Sequence, residues 1–167
     1  STNQLTSINL SKLSQLCDID LGGNKLSGTI NLTNSPNINW LVLGGNGGIT
    51  SVTLPDNLSD LQYLDLSDNQ ITGKLNLSKC AHIWGIDIAN NKFTEVTLCD
   101  DLSPDLEYLI LSNNELTGTI DRVDFSEDGK YFMIIDYKTG KAQLNLKEVF
   151  AGINLQLLTY LMVTNKL

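Results

Sequence analysis

Apolar positions in this chain come in short bursts of period two, and the bursts recur every 22 or 23 residues. The segments LCDIDLGGNKL, INWLVLGGNGG, LQYLDLSDNQI, IWGIDIANNKF and LEYLILSNNEL superpose, starting at Leu16, Ile38, Leu61, Ile83 and Leu106. An apolar-x-apolar stretch predicts a strand with one buried face. Leu64 and Leu66 are predicted to point inward, and Tyr63, Asp65 and Ser67 outward. A single strand of this kind cannot bury its apolar side, whereas stacked turns cover one another. A second alternating segment follows in each period: SINLS, TINLT, SVTLP, KLNLS and EVTLC, beginning at Ser7, Thr29, Ser51, Lys74 and Glu95. It predicts a short return strand on the opposite side. Residues 1 to 120 show no sustained helical period.

Each burst ends on an asparagine: Asn24, Asn46, Asn69, Asn91 and Asn114. Its amide is placed to satisfy backbone groups of its own and neighbouring turns, so the ladder is structural. The pattern L-x-x-L-x-L-x-x-N-x-L resembles the leucine-rich repeat family. The phrases LSGTI, ITGKL and LTGTI resemble its plant-type branch, but Asn31, Asn76 and Asp121 stand where that branch carries proline. The resemblance implies a bacterial surface or secreted member. The expected fold is a mainly β solenoid: a right-handed leucine-rich repeat superhelix of about seven turns. A parallel sheet lines its concave face, with short β or irregular returns on the convex face. A single domain spans residues 1–167, regular over 1–120 and continuing over 121–167 as degenerate repeats or a C-terminal cap. In that frame Phe132, Ile135 and Tyr137 are core, and Ile134 and Asp136 extend the outward columns. KEVFAGINLQ supplies one helical turn, and the last turn exposes an open edge for a further segment or for self-association. Ser1 at the start, with no leader, is expected to mark a piece of a longer chain.

Bulk composition narrows the classes. Hydrophobic residues make up 41% and charged residues 18%, which excludes disorder. The net charge of -8 and pI near 4.4 argue against nucleic acid as a partner. No apolar run is long enough to span a membrane. Cys17, Cys80 and Cys99 lack metal-ligand spacing and are expected to be free thiols. The lone His82 near Cys80 has no oxyanion site beside it, and GGNGG at 44–48 belongs to the repeat frame rather than to a phosphate loop. Asp65 and Asp87 are too few ligands for calcium. No catalytic residue, metal or cofactor is therefore expected, and the chain is expected not to be an enzyme.

Function is then expected on the outward residues of the concave strands. One column reads Asp18, Trp40, Tyr63, Gly85, Tyr108, the next Asp20, Val42, Asp65, Asp87, Ile110. Trp84 falls beside Gly85. Aromatics there can simply cover a sheet, or they can anchor a ligand. Trp40, Tyr63, Asp65, Trp84, Asp87 and Tyr108 are the candidate ligand contacts. The expected role is a non-catalytic recognition or adhesion module for a protein or peptide, with a basic one favoured by the acidic column, at the bacterial cell surface or outside the cell. The alternatives are a carbohydrate-binding domain or a structural stalk.

Overall fold

In the computed structural model the described residues are 3–99, 106–117, 122–125 and 132–135. The chain separates into two compact units, Ser1–Leu116 and Thr117–Leu167.

The first unit is a parallel β-solenoid. Five three-residue strands, β1 (Asp18–Asp20), β3 (Trp40–Val42), β5 (Tyr63–Asp65), β7 (Gly85–Asp87) and β9 (Tyr108–Ile110), form one sheet in the order β1-β3-β5-β7-β9. All four pairings are parallel, and the register aligns Ile19, Leu41, Leu64, Ile86 and Leu109. The flanking columns are the two read from the sequence. On the return side β2 (Ser27–Asn31) pairs with β4 (Gly48–Thr53), and β6 (Thr72–Leu77) with β8 (Lys92–Leu98), again in parallel. The core is the column between the two sides. Leu26, Leu32, Ile38, Leu41, Leu43, Ile49, Leu61, Leu64, Leu66, Ile83, Ile86 and Ile88 are fully enclosed. No helix occurs among the described residues.

The asparagine ladder holds the turns. Asn69 Nδ2 donates to the carbonyls of Leu43, Leu66 and Ser67 at 3.0, 3.1 and 3.0 Å. Asn91 Nδ2 reaches Leu66, Ile88 and Ala89 in the same way. Each amide thus ties its own turn to the preceding one. The side-chain oxygens accept from residues at the start of the return side: Leu26 N on Asn46, Ile71 N on Asn91 and Phe93 N on Asn114, each at 3.0 Å. Asn69 Oδ1 is the exception, buried without a partner. Its place in the pattern falls opposite the Gly47-Gly48 step, where Gly47 instead donates to the Asp68 carbonyl at 3.0 Å.

The residue before each ladder asparagine is Gly23, Gly45, Asp68, Asn90 or Asn113, and all five have φ between 51° and 69°. Only glycine, asparagine and aspartate enter this left-handed region cheaply, so the residue choice follows from the turn.

The second unit contains β10 (Arg122–Phe125) and β11 (Phe132–Ile135). They pair antiparallel, Arg122 with Ile135 and Phe125 with Phe132. The outward columns therefore do not continue through Ile134: β11 is half of a hairpin, not a sixth parallel strand. Period two is common to both kinds of strand, and the alternation of apolar residues carries no direction. The helical turn expected in KEVFAGINLQ and the core place of Tyr137 lie outside the described residues.

Candidate functional site

Two places bring together residues with chemistry. The first is the solenoid's five-stranded face. Trp40 and Tyr63 stack with centroids 4.3 Å apart and planes 24° apart. Trp84 lies 5.1 Å from Tyr63 and 5.7 Å from Trp40, so it fills the space that Gly85 leaves in the column. Trp40 remains exposed. Tyr108 takes its register position opposite Gly85 in β9.

The carboxylates beside them are held by local turns. Asp20 Oδ1 accepts Gly22 N at 3.1 Å, and Asp87 Oδ1 accepts Ala89 N at 3.0 Å. Asp65 Oδ1 accepts both Ser67 N and Ser67 Oγ, at 2.9 and 2.6 Å. Burial pushes the Asp87 carboxyl above its usual range. The Ala89 N–H opposes that rise, and the nearby Asp65 and Asp68 charges add to it. These three carboxylates accept hydrogen bonds from turns of the solenoid. No group of three or more metal-ligating side chains occurs among the described residues. His82 is exposed. Cys80 is buried, and burial, with Cys99 adding to it, raises its thiol to about 12, so it is inert.

The second place is one end of the β10–β11 hairpin. The sequence reads I-D-R-V-D-F up to the end of β10 and F-M-I-I-D-Y-K from the start of β11. Arg122 pairs with Ile135 at the end away from the connection. Asp121 is bonded to Arg122, and Asp136 to Ile135. Two carboxyl-bearing residues thus adjoin one registered pair, and Lys138 follows two residues on. Asp121, Asp136 and Lys138 themselves lie outside the described residues. At the opposite end Phe125 pairs with Phe132, and the connection carries a second acid-x-lysine triplet, Asp128-Gly129-Lys130.

The pattern of the PD-(D/E)XK nuclease superfamily matches residues 64–167, well over half of the chain. The chain belongs to the PD-(D/E)XK nuclease superfamily. Its curated relatives include an ATP-dependent helicase/deoxyribonuclease subunit of Carboxydothermus hydrogenoformans, 57% identical over 49 residues. The corresponding proteins of Clostridium tetani and Clostridioides difficile are 52% and 54% identical, each over 44 residues. These matches cover 25–28% of this chain and 4% of each relative, so the chain spans a small part of their length. No solved structure matches the chain.

Membership in a nuclease superfamily corrects the reading made from the repeats. The family shown is not the leucine-rich repeat family, although the solenoid architecture stands. The expectation of a non-enzyme is overturned, and with it the adhesion or recognition module, the carbohydrate-binding alternative and the stalk. The exclusion of nucleic acid as a partner falls for the same reason. The bacterial surface or extracellular setting rested on the repeat resemblance, and the matched relatives are helicase/deoxyribonuclease proteins. Among the described residues no helix is long and apolar enough to cross a membrane.

Sequence reasoning did not single out the two acid-x-lysine triplets, Asp128-Gly129-Lys130 and Asp136-Tyr137-Lys138. The signal was present: two strand-like segments joined by E-D-G, each with an aspartate at the end away from the turn, one followed by x-Lys. Forcing Ile134 and Asp136 into the repeat columns concealed it.

Proposed function

We propose that the second unit cleaves phosphodiester bonds of nucleic acid, DNA first, and that Asp121, Asp136 and Lys138 carry the chemistry. The single observation behind this assignment is the antiparallel pairing of Arg122 with Ile135. It makes Asp121 and Asp136 the next residues at one hairpin end, while Asp128 and Lys130 belong to the other. The superfamily's name spells an acid-x-lysine triplet, and both D-x-K triplets of residues 64–167 fall in this hairpin region. The register separates them in favour of Asp136-Tyr137-Lys138. The name's Pro-Asp step occurs in the matched residues at Pro104-Asp105, whereas Asp121 follows Ile120. Asp121 directly precedes Arg122, whose strand pairs with the one that Asp136 follows, so Asp121 is the better first acid.

The carboxylates of Asp121 and Asp136 are hard oxygen donors of the kind that would suit a divalent cation such as magnesium or manganese. The chemistry such an ion would supply is a water of lowered pKa and a polarised phosphate. Asp121 and Asp136 would hold that ion. Lys138 supplies a fixed positive charge for the extra negative charge that builds on the phosphate oxygens during attack. Division of labour between the units belongs to the same proposal: chemistry in the second, and none in the solenoid.

The test is cleavage of end-labelled DNA by the full chain with magnesium or manganese, against a chelator. Asp136→Asn and Lys138→Gln should each lower the rate by roughly 100-fold or more. Asp128→Asn and Lys130→Gln should leave it within about threefold of the parent. Cleavage that survives Asp136→Asn, or that disappears with Asp128→Asn, assigns the wrong triplet.

A further inference from the structure

The chain's charge is unevenly divided between its two units. Residues 1–116 carry five Lys/Arg and thirteen Asp/Glu, a formal net of -8, whereas residues 117–167 carry six of each and balance. The whole net charge of the protein therefore sits on the solenoid. It is a surface charge: Asp18, Asp20, Asp56, Asp60, Asp68, Glu95, Glu107 and Glu115 are exposed. Glu95 is in an ion pair, its carboxylate 2.6 Å from Lys74 Nζ. The outward columns of the five-stranded face hold no lysine or arginine to offset Asp18, Asp20, Asp65 and Asp87.

From this division we propose that the solenoid is an electrostatic barrier to nucleic acid, which sets the ionic-strength dependence with which the whole chain engages its substrate. The proposal rests on the nuclease reading of the second unit only for its biological meaning. Its physics needs only the charge division and the contiguous chain at Leu116-Thr117. A nucleic-acid strand is a polyanion with a charge every few ångströms. Bringing it to a neutral unit fused to a -8 unit costs repulsion that reaches about one Debye length, ~10 Å at 0.1 M salt and ~30 Å at 0.01 M. Proteins that hold nucleic acid with a basic surface bind more weakly as salt rises, because released counterions drive them. Here screening relieves a repulsion, so affinity should rise with salt over the low range. A barrier of this kind disfavours long, densely charged duplex at low salt more than short strands, and it leaves the chemical step untouched.

The experiment measures fluorescence anisotropy of a labelled single strand of roughly 30 nucleotides with the full chain, in chelator so that nothing is cut. The parent is compared with a variant carrying Asp18→Asn, Asp56→Asn, Glu107→Gln and Glu115→Gln, all exposed positions. The parent's affinity should rise between about 20 mM and 150 mM salt. The variant should bind at least about threefold tighter at the low end, and the two should converge near 0.5 M. Circular dichroism confirms that the variant folds, and the parent's own salt profile is an independent reading should it not. Parent affinity that falls steadily with salt overturns the proposal, as does equal binding by both chains at every salt, including no binding by either. The nuclease reading fails separately, through the cleavage assay, because anisotropy in chelator does not depend on catalysis.

Discussion

Asn69 and Asn91 occupy the same rung of the ladder but do not make the same bonds. Both amides donate to three carbonyls, yet only Asn91 also accepts, from Ile71 N. Truncation at either place strands buried backbone acceptors, and at Asn91 it strands a buried donor as well. Asn69→Ala should cost roughly 1–3 kcal/mol, and Asn91→Ala about 1 kcal/mol more. Urea unfolding of the two variants checks the order, and equal losses would reject the bond-by-bond account. Asp87 offers a pH test. Its carboxyl is raised in the fold, so the native state holds the proton more tightly than the unfolded chain does. Stability from this group is therefore greatest below the unfolded aspartate value and falls as pH climbs through the raised one. Asp87→Asn keeps an oxygen for the Ala89 N–H and removes the charge. It should stabilise the solenoid at pH 7, with the gain gone below about pH 3.5. A gain that persists in acid would rule out ionisation as the cause.

At the level of elements, the parallel strands pack closely enough that one added methyl matters. A Cβ on Gly44 would lie 2.5 Å from Asp65 Oδ1, which is held in place by Ser67 N and Oγ. Gly44→Ala should therefore destabilise by roughly 1–3 kcal/mol. Combined with Asp65→Ala it should cost less than the two single changes together. Thermal melts of the three variants measure this, and strict additivity would mean that the clash is relieved some other way. The columns Asp18-Trp40-Tyr63-Gly85-Tyr108 and Asp20-Val42-Asp65-Asp87-Ile110 were readable from the repeat alone, because a fixed period and a fixed pleat leave one register. Left-handed turns were legible as well, in the Gly, Asp or Asn before each ladder residue. The hairpin was not. An antiparallel pair and a parallel stack share the same alternation, and what separates Arg122–Phe125 from a solenoid strand is its partner, which is not written locally.

For the whole molecule, one average concealed a division of charge between the two units. A net charge of -8 over 167 residues reads as a protein that avoids phosphates, yet residues 117–167 are balanced and Lys138 stands among them. Composition excludes a partner only for the unit that carries it. The strength of the repeat also worked against the reading, since five clear periods invite the rest of the chain into the same frame. The cysteines give a check on the solenoid by itself. Cys17 is exposed, Cys99 half-buried and Cys80 enclosed, with its thiol raised to about 12. Maleimide at neutral pH should label Cys17 first and Cys80 only on unfolding, as read by mass spectrometry of the digested protein. Early labelling of Cys80 would mean that the return side of the solenoid opens. The stacked rings of Trp40, Tyr63 and Trp84 have an optical consequence. Both tryptophans of the chain lie in the first unit, and their close, tilted contacts couple the indole transitions. Indole emission, and the ellipticity those coupled rings generate in the near ultraviolet, are thus a built-in colour tag for the solenoid. The second unit, which has tyrosines but no tryptophan, stays dark at the red edge of the spectrum, so the melting of each half can be watched in a different band of light.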